Sequence, residues 1–128
     1  MAVERLKYNH EGGDLMIEIV FKGLIAASYK YTLWEKDSNE IAFQKSGNNI
    51  NREDDIFTLQ APLSKHAGRL IDVHASIKGL YEQGTEGTYE FVVIIKQDSN
   101  VLMQNVQPAN RQTIGEQMIT HQFYVLLV

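Results

Sequence analysis

The chain has 128 residues, 44% of them hydrophobic, and a net charge of −4. That length holds one domain with a real core, and the composition is too apolar for a disordered chain. No stretch is rich enough in Lys and Arg to serve as a phosphate-binding surface, so nucleic acid is not an expected partner. Cysteine is absent, which excludes a disulfide scaffold, a thiol nucleophile and any Cys-ligated zinc or iron–sulfur site.

The opening residues Met1-Ala2-Val3-Glu4-Arg5 lack the apolar run of a signal peptide. Together with the missing cysteine, this favours a reducing, cytoplasmic compartment as the expectation. No apolar run approaches the roughly 20 residues that span a bilayer.

Strand signals dominate along the chain. Short runs of Val, Ile, Tyr and Phe alternate with Gly, Asn, Asp and Ser. They predict strands near 2–8, 14–22, 26–36, 40–45, 55–61, 69–78, 87–97, 101–106 and 117–127, with turns between them. Only 107–116, around Pro108, could host a short helical turn.

In the second strand, Leu15, Ile17, Ile19 and Phe21 oppose Met16, Glu18, Val20 and Lys22. The third sets Tyr29, Tyr31 and Leu33 against Ser28, Lys30, Thr32 and Trp34. Phe57 and Leu59 face away from Thr58 and Gln60, and Ile71, Val73, Ala75 and Ile77 from Asp72, His74 and Ser76. Such period-2 patterns bury one face and wet the other, as antiparallel sheets do. Phe91 to Ile95 and Phe123 to Val128 are apolar on both faces. Each is either central and covered, or meets another chain. Glu90 and Lys96 flank the first run as gatekeepers.

The expected fold is therefore a single all-β domain over 1–128. It is a β-sandwich of eight or nine mostly antiparallel strands, Ig-like or C2-like in architecture, with a β-barrel as the alternative. Phe21-Lys22-Gly23-Leu24 echoes Ile77-Lys78-Gly79-Leu80. Lys36-Asp37-Ser38-Asn39 likewise echoes Lys96-Gln97-Asp98-Ser99-Asn100. These echoes raise an internal duplication of about 14–45 and 70–105, against the alternative that hairpins reuse the same turn chemistry.

Four groups of residues are candidate sites. Asp72, His74 and Ser76 project from one face of one strand, with neighbours roughly 6.5–7 Å apart at Cα. Acid, imidazole and hydroxyl in a row invite a hydrolase triad. Yet a pleated open face offers neither a nucleophile elbow nor an oxyanion site, and a non-enzymatic reading is preferred. Asp72 and His74, with His121 as a further donor, could share a metal. His121 also reads as a core histidine bonded to backbone, and His10 and His66 as solvated loop residues.

In the loop 46–55, Asn48, Asn51, Asp54 and Asp55 carry the oxygens that calcium prefers, and strand parity brings Glu86 to the same end. Arg52 opposes a cation there. Trp34, the only tryptophan, has outward parity and could stack on a carbohydrate or anchor a protein.

The strongest functional signal is the outward apolar set Trp34, Val92, Ile94, Tyr124 and Leu126. If contiguous, it would exceed the apolar patch a monomer usually exposes. The expectation is an interaction or structural module that assembles with itself or another protein through an apolar sheet face. A ligand-binding module, for carbohydrate or calcium, is the alternative.

Overall fold

In the computed structural model, which describes residues 3–50, 55–110 and 112–128, the chain is all-β with no closed barrel. Its strands are β1 (Glu4–Leu6), β2 (Leu15–Lys22), β3 (Ile25–Trp34), β4 (Ile41–Asn48), β5 (Ile56–Leu59), β6 (Leu70–Gly79), β7 (Gly87–Thr88), β8 (Glu90–Gln97), β9 (Asn100–Gln107), β10 (Thr113–Ile114) and β11 (Met118–Leu127). A five-stranded sheet runs β1-β11-β6-β3-β4, a four-stranded sheet runs β5-β2-β8-β9, and β10 pairs with β7 in a small ribbon. All pairings are antiparallel except β1 with β11.

Alternation decides which residues meet between the sheets. Leu15, Ile17 and Ile19 from β2, Tyr29, Tyr31 and Leu33 from β3, and Ile71, Val73, Ala75 and Ile77 from β6 are all buried. So are Phe91, Val93 and Ile95 from β8 and Phe123, Val125 and Leu127 from β11. Each such side chain contributes on the order of 1.5–3 kcal/mol of hydrophobic stabilisation. The two runs that are apolar on both faces are central strands: β8 lies between β2 and β9, and β11 between β1 and β6.

Segments 14–45 and 70–105 follow the same course. In each, a first strand crosses to the opposite sheet, forms the second strand there, and turns back through a hairpin into an edge strand. The two crossings meet at one end of the sandwich, where the Leu80 amide donates to the Leu24 carbonyl at 3.0 Å. Gly23 takes φ +113° in the first crossing, a conformation that L side chains rarely adopt. Asp37 and Asp98 take left-handed φ values of 52° and 51° in the two hairpins, as short polar residues can.

One local expectation is displaced. The single helical turn spans Leu63–His66, and 107–116 instead contains β10. Leu63 is fully buried and draws its turn against the core. At 113–114, pairing with β7 and burial of Ile114 hold the backbone extended.

Candidate functional site

The outward apolar set divides between the two faces of the sandwich. Trp34, Tyr124 and Leu126 lie on the outer face of the five-stranded sheet, where Leu70 pairs with both Trp34 and Leu126. Val92 and Ile94 lie on the outer face of the four-stranded sheet. Val92 is buried at 3% exposure despite its outward parity, and the other four are half-buried. The structure thus joins Trp34 to Leu126 through Leu70 and separates both from Val92 and Ile94.

Asp72, His74 and Ser76 share the outer face of the five-stranded sheet with Trp34. Asp72 accepts a hydrogen bond from the Trp34 indole at 3.2 Å, rather than orienting His74. The cross-strand neighbours of His74 are Lys30 and Gln122, and its side chain is exposed. His74 and Ser76 line a shallow depression of about 290 Å³ together with Ser28, Lys30 and Ser46 on this polar sheet face.

Of the oxygen-rich set, Asn51 and Asp54 lie outside the described residues. Asn48 and Asp55 lie at the same end of the sandwich as Glu86, since the antiparallel pairings return the chain there. Asp55 accepts a 2.6 Å hydrogen bond from the Tyr29 hydroxyl. Burial raises the Tyr29 pKa above its ordinary value, and the Asp55 hydrogen bond and charge add to the shift. Among the described residues, no three His, Cys, Asp or Glu side chains gather closely enough to hold a metal ion.

On the outer face of the four-stranded sheet, apolar side chains adjoin across neighbouring strands. Val20, Val92 and Val106 stand side by side on β2, β8 and β9. The next row holds Ile56, Glu18, Ile94 and Gln104, followed by Met16 and Lys96. Met16, Ile56 and Val106 are exposed, at 42%, 39% and 37%. Charges on this face come in opposite pairs: Glu18–Lys96 at 3.6 Å and Lys22–Glu90 at 3.9 Å.

The two open sides of the sandwich differ. On one, β4 and β3 lie over β5. Tyr31 and Phe57 stack at 4.2 Å between ring centres and 2° between planes, and Phe43 meets both rings at a steep angle. Because β5 has four residues and β4 has eight, β4 overhangs. Beneath the overhang lies a cleft of about 440 Å³, floored by Tyr31, Leu33, Phe57 and Leu59. Lys45, Lys65, His66 and Arg69 line its edge.

Arg69 is held by Glu35 Oε1 at 2.9 Å and by His66 Nδ1 at 3.0 Å. His66 Nε2 faces the Gln60 carbonyl at 3.1 Å. An arginine donating to Nδ1 places the His66 proton on Nε2, so the ring is neutral. Burial first, then the charges of Arg69 and Lys65, lower its pKa, against the Gln60 carbonyl and Glu35, which raise it. Among the described residues the buried Tyr31 hydroxyl has no hydrogen-bond partner, and burial raises its pKa.

On the other side, β8 and β9 face β11. His121 Nε2 lies 2.7 Å from the Tyr89 hydroxyl, and Nδ1 lies 3.2 Å from Gln107 Oε1. A carbonyl-type acceptor at Nδ1 places the proton there, so Nε2 accepts from Tyr89. His121 is thus half-buried at the margin of the core, and side chains rather than backbone satisfy it. Burial lowers its pKa and raises that of Tyr89.

Sequence reading missed the Arg69–His66–Gln60 cluster. His66 is 4% exposed, not solvated. Its only sequence signal is the i, i+3 spacing to Arg69, which is common on any surface. No protein-family model matches this chain, and neither a curated protein nor a solved structure shows significant similarity to it.

Proposed function

We propose that the protein is a non-enzymatic interaction module that pairs with a second copy of itself through the outer face of the four-stranded sheet. The observation that carries this reading is the exposed set Met16, Ile56 and Val106, with half-buried Val20 and Ile94 on the same face, whose charges are balanced. A two-fold contact places each patch on its own image, so equal numbers of carboxylates and ammonium groups are self-complementary there. The opposite outer face has its own apolar group, Trp34, Leu70 and Leu126, but Thr32, Asp72, His74 and Ser76 interrupt it with polar side chains.

Three strands of eight residues and one of four, about 4.8 Å apart, cover roughly 450 Å² per partner. The two partners together then bury roughly 900 Å², which is the range of weak, concentration-dependent association.

Light scattering coupled to gel filtration, from micromolar to millimolar protein, tests this. A dimer should emerge with concentration and be lost in Ile94→Lys, while Tyr124→Ala on the other face leaves it intact. A monomer at every concentration, or a dimer that survives Ile94→Lys, sinks the proposal.

We also propose that 14–45 and 70–105 derive from one duplicated segment, supported by their shared strand course. Failure to superpose β2, β3 and β4 on β6, β8 and β9 would count against it.

A further inference from the structure

We infer that the cleft between β4 and β5 is a binding site for a small carboxylate with an apolar body. Its volume, about 440 Å³, lies within the range of small-molecule sites, which are concave, mostly apolar and supplied with a few polar groups. The floor is already dry: Tyr31, Leu33, Phe57 and Leu59 are buried, and the Tyr31–Phe57 stack makes it flat. Phe43, 47% exposed, stands at the rim with an aromatic face that a ligand would cover.

Charge selects the ligand class. Arg69 is balanced by Glu35 at 2.9 Å. Among the described residues, Lys45 and Lys65 form no ion pair. His66 adds no charge while it is neutral. The cleft thus carries an excess of two positive charges in a chain whose net charge is −4.

Lys65, His66 and Arg69 gather in the segment that connects β5 to β6, beyond the end of β5. Arg69 is pre-organised there by its two partners, so a carboxylate meets a fixed guanidinium beside a free ammonium group. The apolar body then lies across Phe57 and Phe43. A cationic ligand meets repulsion at this end, and a neutral one gains only the floor.

The test is titration of the ¹⁵N/¹³C-labelled protein with octanoate and with 2-naphthoate, using octylamine as the cationic control. Both carboxylates should produce saturable shifts at Phe43, Phe57 and His66, and the tighter of the two reports whether the body is aliphatic or aromatic. Octylamine should not shift them. Lys65→Glu and Phe43→Ala alter exposed groups and should each weaken carboxylate binding at least about tenfold with the melting temperature little changed. Unsaturable shifts, equal binding of the amine, or unchanged affinity in a folded Lys65→Glu protein would overturn the inference. Ile56 and Thr58 line the cleft and also edge the proposed dimer face, whereas Ile94 does not line it, so Ile94→Lys should leave carboxylate binding intact. The two proposals can therefore fail separately.

Discussion

On one side of the sandwich, Tyr89, His121 and Gln107 join the two sheets by hydrogen bonds. On the other, β4 overhangs a four-residue β5 and leaves a cleft above the stacked rings of Tyr31 and Phe57. The strands involved are counterparts, because β5 lies beside β2 as β11 lies beside β6. What differs is length. β11 has ten residues and is flanked further by β1, so that side is covered. A short strand cannot cover a long one, and the uncovered space becomes a cleft when its floor is aromatic and rigid. Among the described residues, the closed side satisfies its buried polar atoms, whereas the open side retains the Tyr31 hydroxyl without a partner.

Four measurements break or sharpen that contrast. The largest effect is expected from Phe57→Ala, which removes the ring that stacks on Tyr31 and touches Phe43. Truncating a buried aromatic costs about 3–5 kcal/mol, and chemical denaturation would read it. A loss below about 1 kcal/mol would mean that the open side collapses to fill the gap and is not rigid.

Tyr89→Phe on the closed side comes next. It leaves half-buried His121 Nε2 without its donor and should cost about 1–2 kcal/mol. If stability is unchanged, the hydrogen bond to His121 is not what joins the sheets there.

The third test is pH. Burial lowers the pKa of both His121 and His66 in the folded state. Below their ordinary value of about 6.5, the unfolded chain therefore binds more protons than the folded one. Their neutral forms support folding fully above about pH 6.5, and stability falls as the pH drops from there toward the folded pKa values. Melting temperatures should be lower at pH 5.5 than at pH 7.5, with a smaller drop in His121→Gln. A flat profile would show that neither ring is held neutral by the fold.

The smallest change is expected from Tyr31→Phe. The hydroxyl has no partner among the described residues, so its removal should be neutral or stabilising by up to about 1 kcal/mol. A clear loss would reveal a partner for this oxygen and remove the asymmetry with Tyr89.

Much of the architecture is legible in single strands. The alternation of Ile71, Val73, Ala75 and Ile77 with Asp72, His74 and Ser76 identifies the buried face of β6 without reference to any other strand. So does that of Tyr29, Tyr31 and Leu33 in β3. The hairpins at Asp37 and Asp98 follow from residues that tolerate left-handed backbone. Loop parity, too, correctly groups Asn48, Asp55 and Glu86 at one end, because antiparallel strands return the chain to alternate ends.

Strand order is where local reading stops. Outward parity is shared by Trp34, Val92, Ile94, Tyr124 and Leu126, yet parity says only that a side chain leaves its own sheet, not which sheet that is. Three of these residues leave one side of the molecule and two leave the other. The cleft is equally invisible locally, since it arises from the unequal lengths of β4 and β5 and from a segment 60–69 that returns below them. His66 sits in what reads as a loop, and only the approach of Arg69, Glu35 and Gln60 makes it a buried, neutral ring.

The sequence by itself determined the strand faces, the turn positions and the all-β class, because these depend on side-chain period and local backbone preference. Only the tertiary structure decided which faces lie together, which edge stays open and which polar atoms find partners. Those outcomes depend on pairing between strands far apart in the chain, and no local pattern of residues encodes that pairing.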